Sequence, residues 1–157
     1  MIRPGTPDDI ASAARVAVRS WQAAYAHVLP AERLAGMSPE RRAELGWLGD
    51  SFVVELDGEV VGFVDFGESR DDDAEGEIYA IYVEPDHFGA GMGRELIRAA
   101  ELRMHELGFT HVILWVLEDN PRARRFYEAA GWTLDGTCRP IEIFGIELPE
   151  VRYRKKL

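Results

Sequence analysis

A strand-forming run, Glu77-Ile-Tyr-Ala-Ile-Tyr-Val83, leads through Pro85 and Phe88 into Gly89-Ala90-Gly91-Met92-Gly93-Arg94, where a long amphipathic helix opens. The first turn of a helix exposes unpaired N–H groups and the positive end of the helix dipole, which together attract an anion. Glycines at 89, 91 and 93 allow a phosphate to approach the main chain with no Cβ in the way. No Gly-Lys-Ser/Thr follows, so a P-loop is excluded, and the glycine spacing is not that of the dinucleotide fingerprint. A second run, Asn120-Pro121-Arg122-Ala123-Arg124-Arg125-Phe126-Tyr127, begins another helix. Phe126 and Ala130 share its core-facing spacing, and Tyr127 projects from a neighbouring stripe. A tyrosine hydroxyl there could protonate a departing thiolate as general acid, or could simply be half-buried and hydrogen-bonded. Glu77 opens the strand-forming run, where it reads as a surface residue ending a hairpin. Strict alternation puts Tyr79, Ile81 and Val83 on its face. Trp21 and Tyr25 are one helical turn apart and read as an aromatic wall for a cationic ligand or as core, with core the expectation for Trp21. The acids Asp71-Asp72-Asp73 read as a lure for a cationic amine or as a solvated loop.

The elements that position these residues can be read from periodicity. A short initial strand precedes a helix capped by Thr6-Pro7-Asp8-Asp9, with Ile10, Ala14, Ala17, Trp21 and Val28 at helical spacing until Pro30. A weaker helix is expected over Pro39 to Leu48, then a hairpin turning at Asp57-Gly58. The helix after the glycines carries Leu96, Ile97, Ala100 and Met104 and ends at Gly108. His111 to Leu117 has the continuous apolar character of a central strand. Two further strands, around Trp132 to Cys138 and Glu147 to Arg154, close a mixed α/β order.

The chain has 157 residues, 46% of them hydrophobic and 29% charged, which suits a single domain over 1–157. A net charge of −10 argues against nucleic acid as a partner. The basic tail from Arg152 to Lys156 reads as solvated surface charge. The lone Cys138 reads as a packed strand residue, and no cysteine–histidine spacing suggests a metal. No run has signal-peptide or membrane-spanning character, so a cytoplasmic protein without a membrane partner is expected.

Val-x-Pro-x-x-x-Gly-x-Gly-x-Gly followed by Asn-x-x-Ala-x-x-Phe-Tyr-x-x-x-Gly-Trp resembles the GCN5-related N-acetyltransferase (GNAT) family, and the order of elements agrees over nearly the whole chain. The resemblance implies a mixed, mostly antiparallel central sheet flanked by helices. Two of its central strands splay apart to admit the pantetheine arm of acetyl-CoA. It implies that Ile81, Tyr82 and Val83 meet the cofactor arm, with a main-chain N–H near Val83 polarising the thioester. The turn from Phe88 through Gly89, Ala90, Gly91, Met92, Gly93 and Arg94 would hold the diphosphate. Asn120 would reach the arm and Tyr127 the sulfur, while Arg124 or Arg125 would meet the outer phosphates. Trp21, Tyr25, Glu77 and Tyr79 would face the acceptor, a small-molecule or peptide amine, and a homodimer is a candidate assembly. Glu77, at the start of one of the splayed strands, would be the candidate general base, acting through a water. The family usually has glutamine or arginine where Phe88 stands. That departure keeps a non-catalytic acyl-CoA sensor as the alternative to an N-acetyltransferase.

Overall fold

The computed structural model describes residues 1–157. Strands β1 (Ile2–Pro4), β2 (Asp50–Leu56), β3 (Glu59–Glu68), β4 (Gly76–Val83), β5 (His111–Leu117), β6 (Thr133–Ile143) and β7 (Ile146–Lys156) form one sheet in the order β1-β2-β3-β4-β5-β7-β6. Only β4 and β5 pair in parallel; every other neighbour is antiparallel. The helices are α1 (Ile10–Ala24), α2 (Ala31–Ala35), α3 (Pro39–Ala43), α4 (Met92–Glu106) and α5 (Pro121–Ala129).

Helix α1 begins after a short 3₁₀ turn, where the main-chain N–H of Thr6 donates to Asp9 at 2.8 Å and Asp9 N–H returns to the Thr6 carbonyl. Arg3 on β1 grips the same carboxylate through two nitrogens at 2.8 and 2.9 Å, and holds Asp9 down at about 2 from its ordinary 3.8. The helix stops at Ala24, before Pro30, and the single helix expected over 39–48 shortens to α3. The Asp57-Gly58 hairpin forms as expected, both residues having positive φ, 52° and 81°. The last two strands run longer than expected because Phe144 and Gly145, at φ 53° and 78°, make a second tight turn between them.

Two apolar layers cover the sheet. Helix α4 packs Leu96, Ile97, Ala100 and Met104 on one face, with Val64, Phe66, Ile78, Val112 and Leu114. Helix α1 packs Ala13, Val16 and Ala17 on the other, with Val53, Phe63, Ala80 and Tyr82. A bulge in β4 decides which face each residue takes. Asp65 opposes Ala80 while Phe66 opposes Ile78, so Tyr79 is an extra residue. Strict alternation therefore fails: Ile81 and Val83 join the α4 face, whereas Glu77, opposite Gly67, lies on the α1 face with Ala80 and Tyr82. The expected grouping of Glu77 with Ile81 and Val83 is corrected by that one inserted residue.

Candidate active site

Strands β4 and β5 pair only at Gly76–Val112, Glu77–Ile113 and Ile78–Leu114. Beyond Ile78 the two strands part, and their facing main-chain groups have no partner in the ladder. A cavity of about 620 Å³ fills the opening. Its walls include Ile81, Val83 and Tyr127 from the α4 side, and Trp21, Tyr82 and Trp115 from the α1 side. The cavity thus passes through the sheet and is reached from both faces. Val83 has one carbonyl lone pair already taken by the Ser20 hydroxyl at 3.1 Å.

At one end of this opening, Gly91 caps α4 in the left-handed region, φ 84°. The first helical bond runs from Glu95 N–H to the Gly91 carbonyl, 3.1 Å, which leaves the amides of Met92, Gly93 and Arg94 without main-chain acceptors. Nothing stands within 4 Å of a Cβ built on Gly89 or Gly91, so the approach to these amides is open. Phe88 is 39% exposed, and the Arg122 guanidinium lies over its ring, 3.3 Å from the centroid. The residue that departs from the family pattern is therefore a platform holding a cation beside the glycine turn. Arg124 is committed elsewhere, to the Tyr153 hydroxyl and the Glu118 carbonyl, both at 3.1 Å. It is half-buried, whereas Arg122, Arg125 and Arg94 are the exposed cations of this end. Arg122 shares the run Asn120–Tyr127, but only its stacking on Phe88 marks it out from its neighbours.

Three tyrosines converge in mid-cavity. Tyr127 is 8% exposed, more buried than its expected stripe implied, and makes no hydrogen bond within the chain. Burial first, then the nearby Tyr82 and Tyr25, push its hydroxyl well above the ordinary tyrosine value, so it stays protonated at neutral pH. Tyr82 accepts from Trp21 Nε1–H at 2.8 Å, and Tyr25 accepts from the Asn120 side-chain amide at 3.1 Å. Trp21 and Tyr25 contact edge to face with centroids 4.7 Å apart. Trp21 is half-buried and lines the cavity, so the core expectation gives way to the wall. Asn120 caps α5 through Oδ1, which accepts from Ala123 N–H at 3.2 Å. Its side chain is thereby tied to α5 and α1, and only one amide N–H remains for a ligand, fewer groups than expected.

Two carboxylates line the α1 side. Glu77 is 1% exposed, not a surface residue, and both its oxygens are held by Arg70 through the main-chain N–H (3.0 Å), Nε (3.3 Å) and a terminal nitrogen (2.5 Å). Tyr79 gives its hydroxyl proton to the Glu68 carbonyl and carries Arg70 over its ring. Glu150, unnoticed in the sequence, is 8% exposed and meets Arg139 at 2.9 Å. The acidic loop is solvated only in part, with Asp72 and Asp73 exposed and Asp71 half-buried. Asp71 and Asp73 clamp Arg152, which also meets Asp135 at 2.6 Å and is 6% exposed. In the basic tail Lys155 closes on Glu101 at 3.0 Å, while Lys156 stays exposed. Cys138 lies on β6 but is exposed, not packed. No group of histidines, cysteines and acids could hold a metal.

Open amides at a helix start, an unpaired strand edge and a buried phenol suit a diphosphate, an amide-bearing arm and a leaving thiolate in that order. Residues 16–132 match the Acetyltransferase (GNAT) family. The chain belongs to that family. Its donor is acetyl-CoA and its chemistry is acetyl transfer. It is 31% identical to the uncharacterized N-acetyltransferase YuaI of Bacillus subtilis over 96% of this chain and 89% of that one. A mycothiol acetyltransferase of Thermobispora bispora is 34% identical over 61% of this chain, and the match spans 36% of that longer protein. In fold, this acetyltransferase is similar to a GCN5-related N-acetyltransferase from Rhodopseudomonas palustris, TM-score 0.80, 23% identity, with 100% and 95% of the chains covered. It is also similar to yncA of Salmonella typhimurium, solved with acetyl-CoA, TM-score 0.71, 23% identity, with 100% and 93% covered. No helix of the acetyltransferase is long and apolar enough to cross a membrane.

Proposed function

We propose that the protein acetylates a primary amine of a small molecule or peptide by direct attack while both substrates are bound. The observation that carries this reading is the cavity through the sheet, reached from the α4 face and from the α1 face between β4 and β5. One substrate can enter along the glycine turn while the other arrives from the aromatic side, so no covalent enzyme intermediate is needed to pass the acetyl group.

The chain's own residues divide the work. The amides of Met92, Gly93 and Arg94, with Arg122 on Phe88, bind the diphosphate. The free edge of β4 at Ile81 and Val83 takes the pantetheine arm. The amine nitrogen attacks the thioester carbon, and the carbon–sulfur bond breaks. Tyr127 gives its hydroxyl proton to the departing sulfur. The proton lost by the amine passes through water toward Glu77, which Arg70 holds in place. The unpaired Cys138 accords with a reducing compartment, and we place the protein in the cytoplasm.

Titration with acetyl-CoA, followed by a thiol-release assay over a panel of amines, tests the reading. Binding with turnover on one amine class is expected. Binding without turnover on any amine would favour an acyl-CoA sensor instead. Glu77→Gln should lower kcat with little change in the acceptor KM; unchanged kcat would remove Glu77 from the reaction.

A further inference from the structure

Charge is unevenly spread along the cavity. Beside the glycine turn, Arg94 and Arg122 line it without any carboxylate partner. On the α1 side, β7 places Glu150 directly opposite Leu117 of β5 and Arg139 of β6. Glu150 is buried and lines the same cavity as Tyr25, Tyr82 and Tyr127. Only one of its oxygens is used, Oε1, which accepts from Arg139 Nε. Oε2 has no partner, in a side chain that lines the cavity. An unpartnered carboxylate oxygen open to a cavity is placed to accept from a bound cation.

Arg139 complements it. Its guanidinium lies over the Trp115 ring, 3.9 Å from the centroid, which sets the plane of the group. Its side chain is 43% exposed against 11% for Glu150, so the cation stands toward solvent and the anion deeper in. Nε alone is spent on Glu150, and the terminal N–H groups are free to grip a carboxylate. Ile141, Ile143, Tyr25 and Leu117 pack nearby as apolar surface.

Resting on the amine-acetylation reading above, we infer that Glu150 and Arg139 select the acceptor: a zwitterionic amine of amino-acid type with an apolar side chain. Its ammonium meets Glu150 Oε2 near the tyrosines, and its carboxylate meets Arg139 on Trp115. A diamine would bring a second positive charge against Arg139, and a simple amine would leave Arg139 unused.

The test compares L-leucine and L-phenylalanine with isoamylamine, phenethylamine and putrescine at saturating acetyl-CoA. It uses the wild type, Glu150→Gln and Arg139→Gln, with melting temperature and acetyl-CoA Kd measured for each protein. Wild type should favour the amino acids in kcat/KM by roughly ten-fold or more. Glu150→Gln should raise the acceptor KM roughly ten- to a hundred-fold with acetyl-CoA Kd unchanged. Arg139→Gln should erase the preference for amino acids over their decarboxylated counterparts. The inference is overturned by a wild type that prefers putrescine or the simple amines, or that binds acetyl-CoA yet acetylates neither amino acid. A folded Glu150→Gln with wild-type acceptor KM overturns it as well. Failure to bind acetyl-CoA would instead strike the acetylation reading itself, so the titration tells the two failures apart.

Discussion

Tyr127 owes its chemistry to its surroundings more than to its position on α5. Burial and two neighbouring phenols keep it protonated, and no protein group competes for its proton. Tyr127→Phe should lower kcat by about a hundred-fold or more, with the acetyl-CoA Kd unchanged. Because the deleted hydroxyl has no partner, the melting temperature should hold or rise slightly, which calorimetry beside steady-state kinetics will check. A neighbouring residue carries a separate expectation. Phe88 holds Arg122 by its ring, so Phe88→Ala should weaken acetyl-CoA binding by about 0.5–1 kcal/mol without touching kcat. Phe88→Gln, which restores a polar side chain, should regain that affinity by direct contact.

Two helix starts carry the element-scale arguments. At α4, Gly91 sits at φ 84°, where an L side chain costs roughly 1–2 kcal/mol. Gly91→Ala should lower stability by about that amount and weaken acetyl-CoA binding too, because the same turn presents the free amides. Melting curves with and without acetyl-CoA separate the two effects. At α1, Asp9 ties β1 to the helix through Arg3, with Arg3 30% exposed. Asp9 has a folded value of about 2 against an ordinary 3.8, so its contribution is fully present above 3.8 and is lost as pH falls through about 2. Allowing for screening at the exposed arginine, Asp9→Asn should cost about 1–2 kcal/mol at pH 7. The gap between mutant and wild type should close toward pH 2, as urea melts across that range will show.

Across the whole molecule, the loop between β3 and β4 is locked to β7 by Arg152, whose guanidinium meets Asp71, Asp73 and Asp135. On β7, Arg152 stands opposite Trp115, the first residue of β5 past the last β4–β5 pair. Removing the cation leaves Asp71 with no cationic partner and Asp73 and Asp135 with Arg154 alone, while Asp71 and Asp135 are largely shielded from water. Arg152→Met should therefore destabilise by about 3 kcal/mol and open the loop to hydrogen exchange. An equal melting temperature for Arg152→Met and wild type would show that the network contributes no net stability.

Local patterns in the chain were enough to determine most elements, because each depends on neighbours in sequence. The Asp57-Gly58 turn, the cap at Thr6, the glycine start of α4 and the Asn120-Pro121 start of α5 all formed where their chemistry placed them. The glycine turn and Tyr127 were legible for the same reason: each belongs to a contiguous motif. What only the tertiary structure decided depends on long-range pairing. The bulge at Tyr79 arises from register against β3, and it moved Glu77 to the opposite face from Ile81. Arg124 meets Tyr153 and Asp71 meets Arg152 because those partners lie on β7, far away in sequence. Glu150 carried no sequence signal at all. It is one acid among many until β6 and β7 pair, bury it, and leave one of its oxygens without a partner.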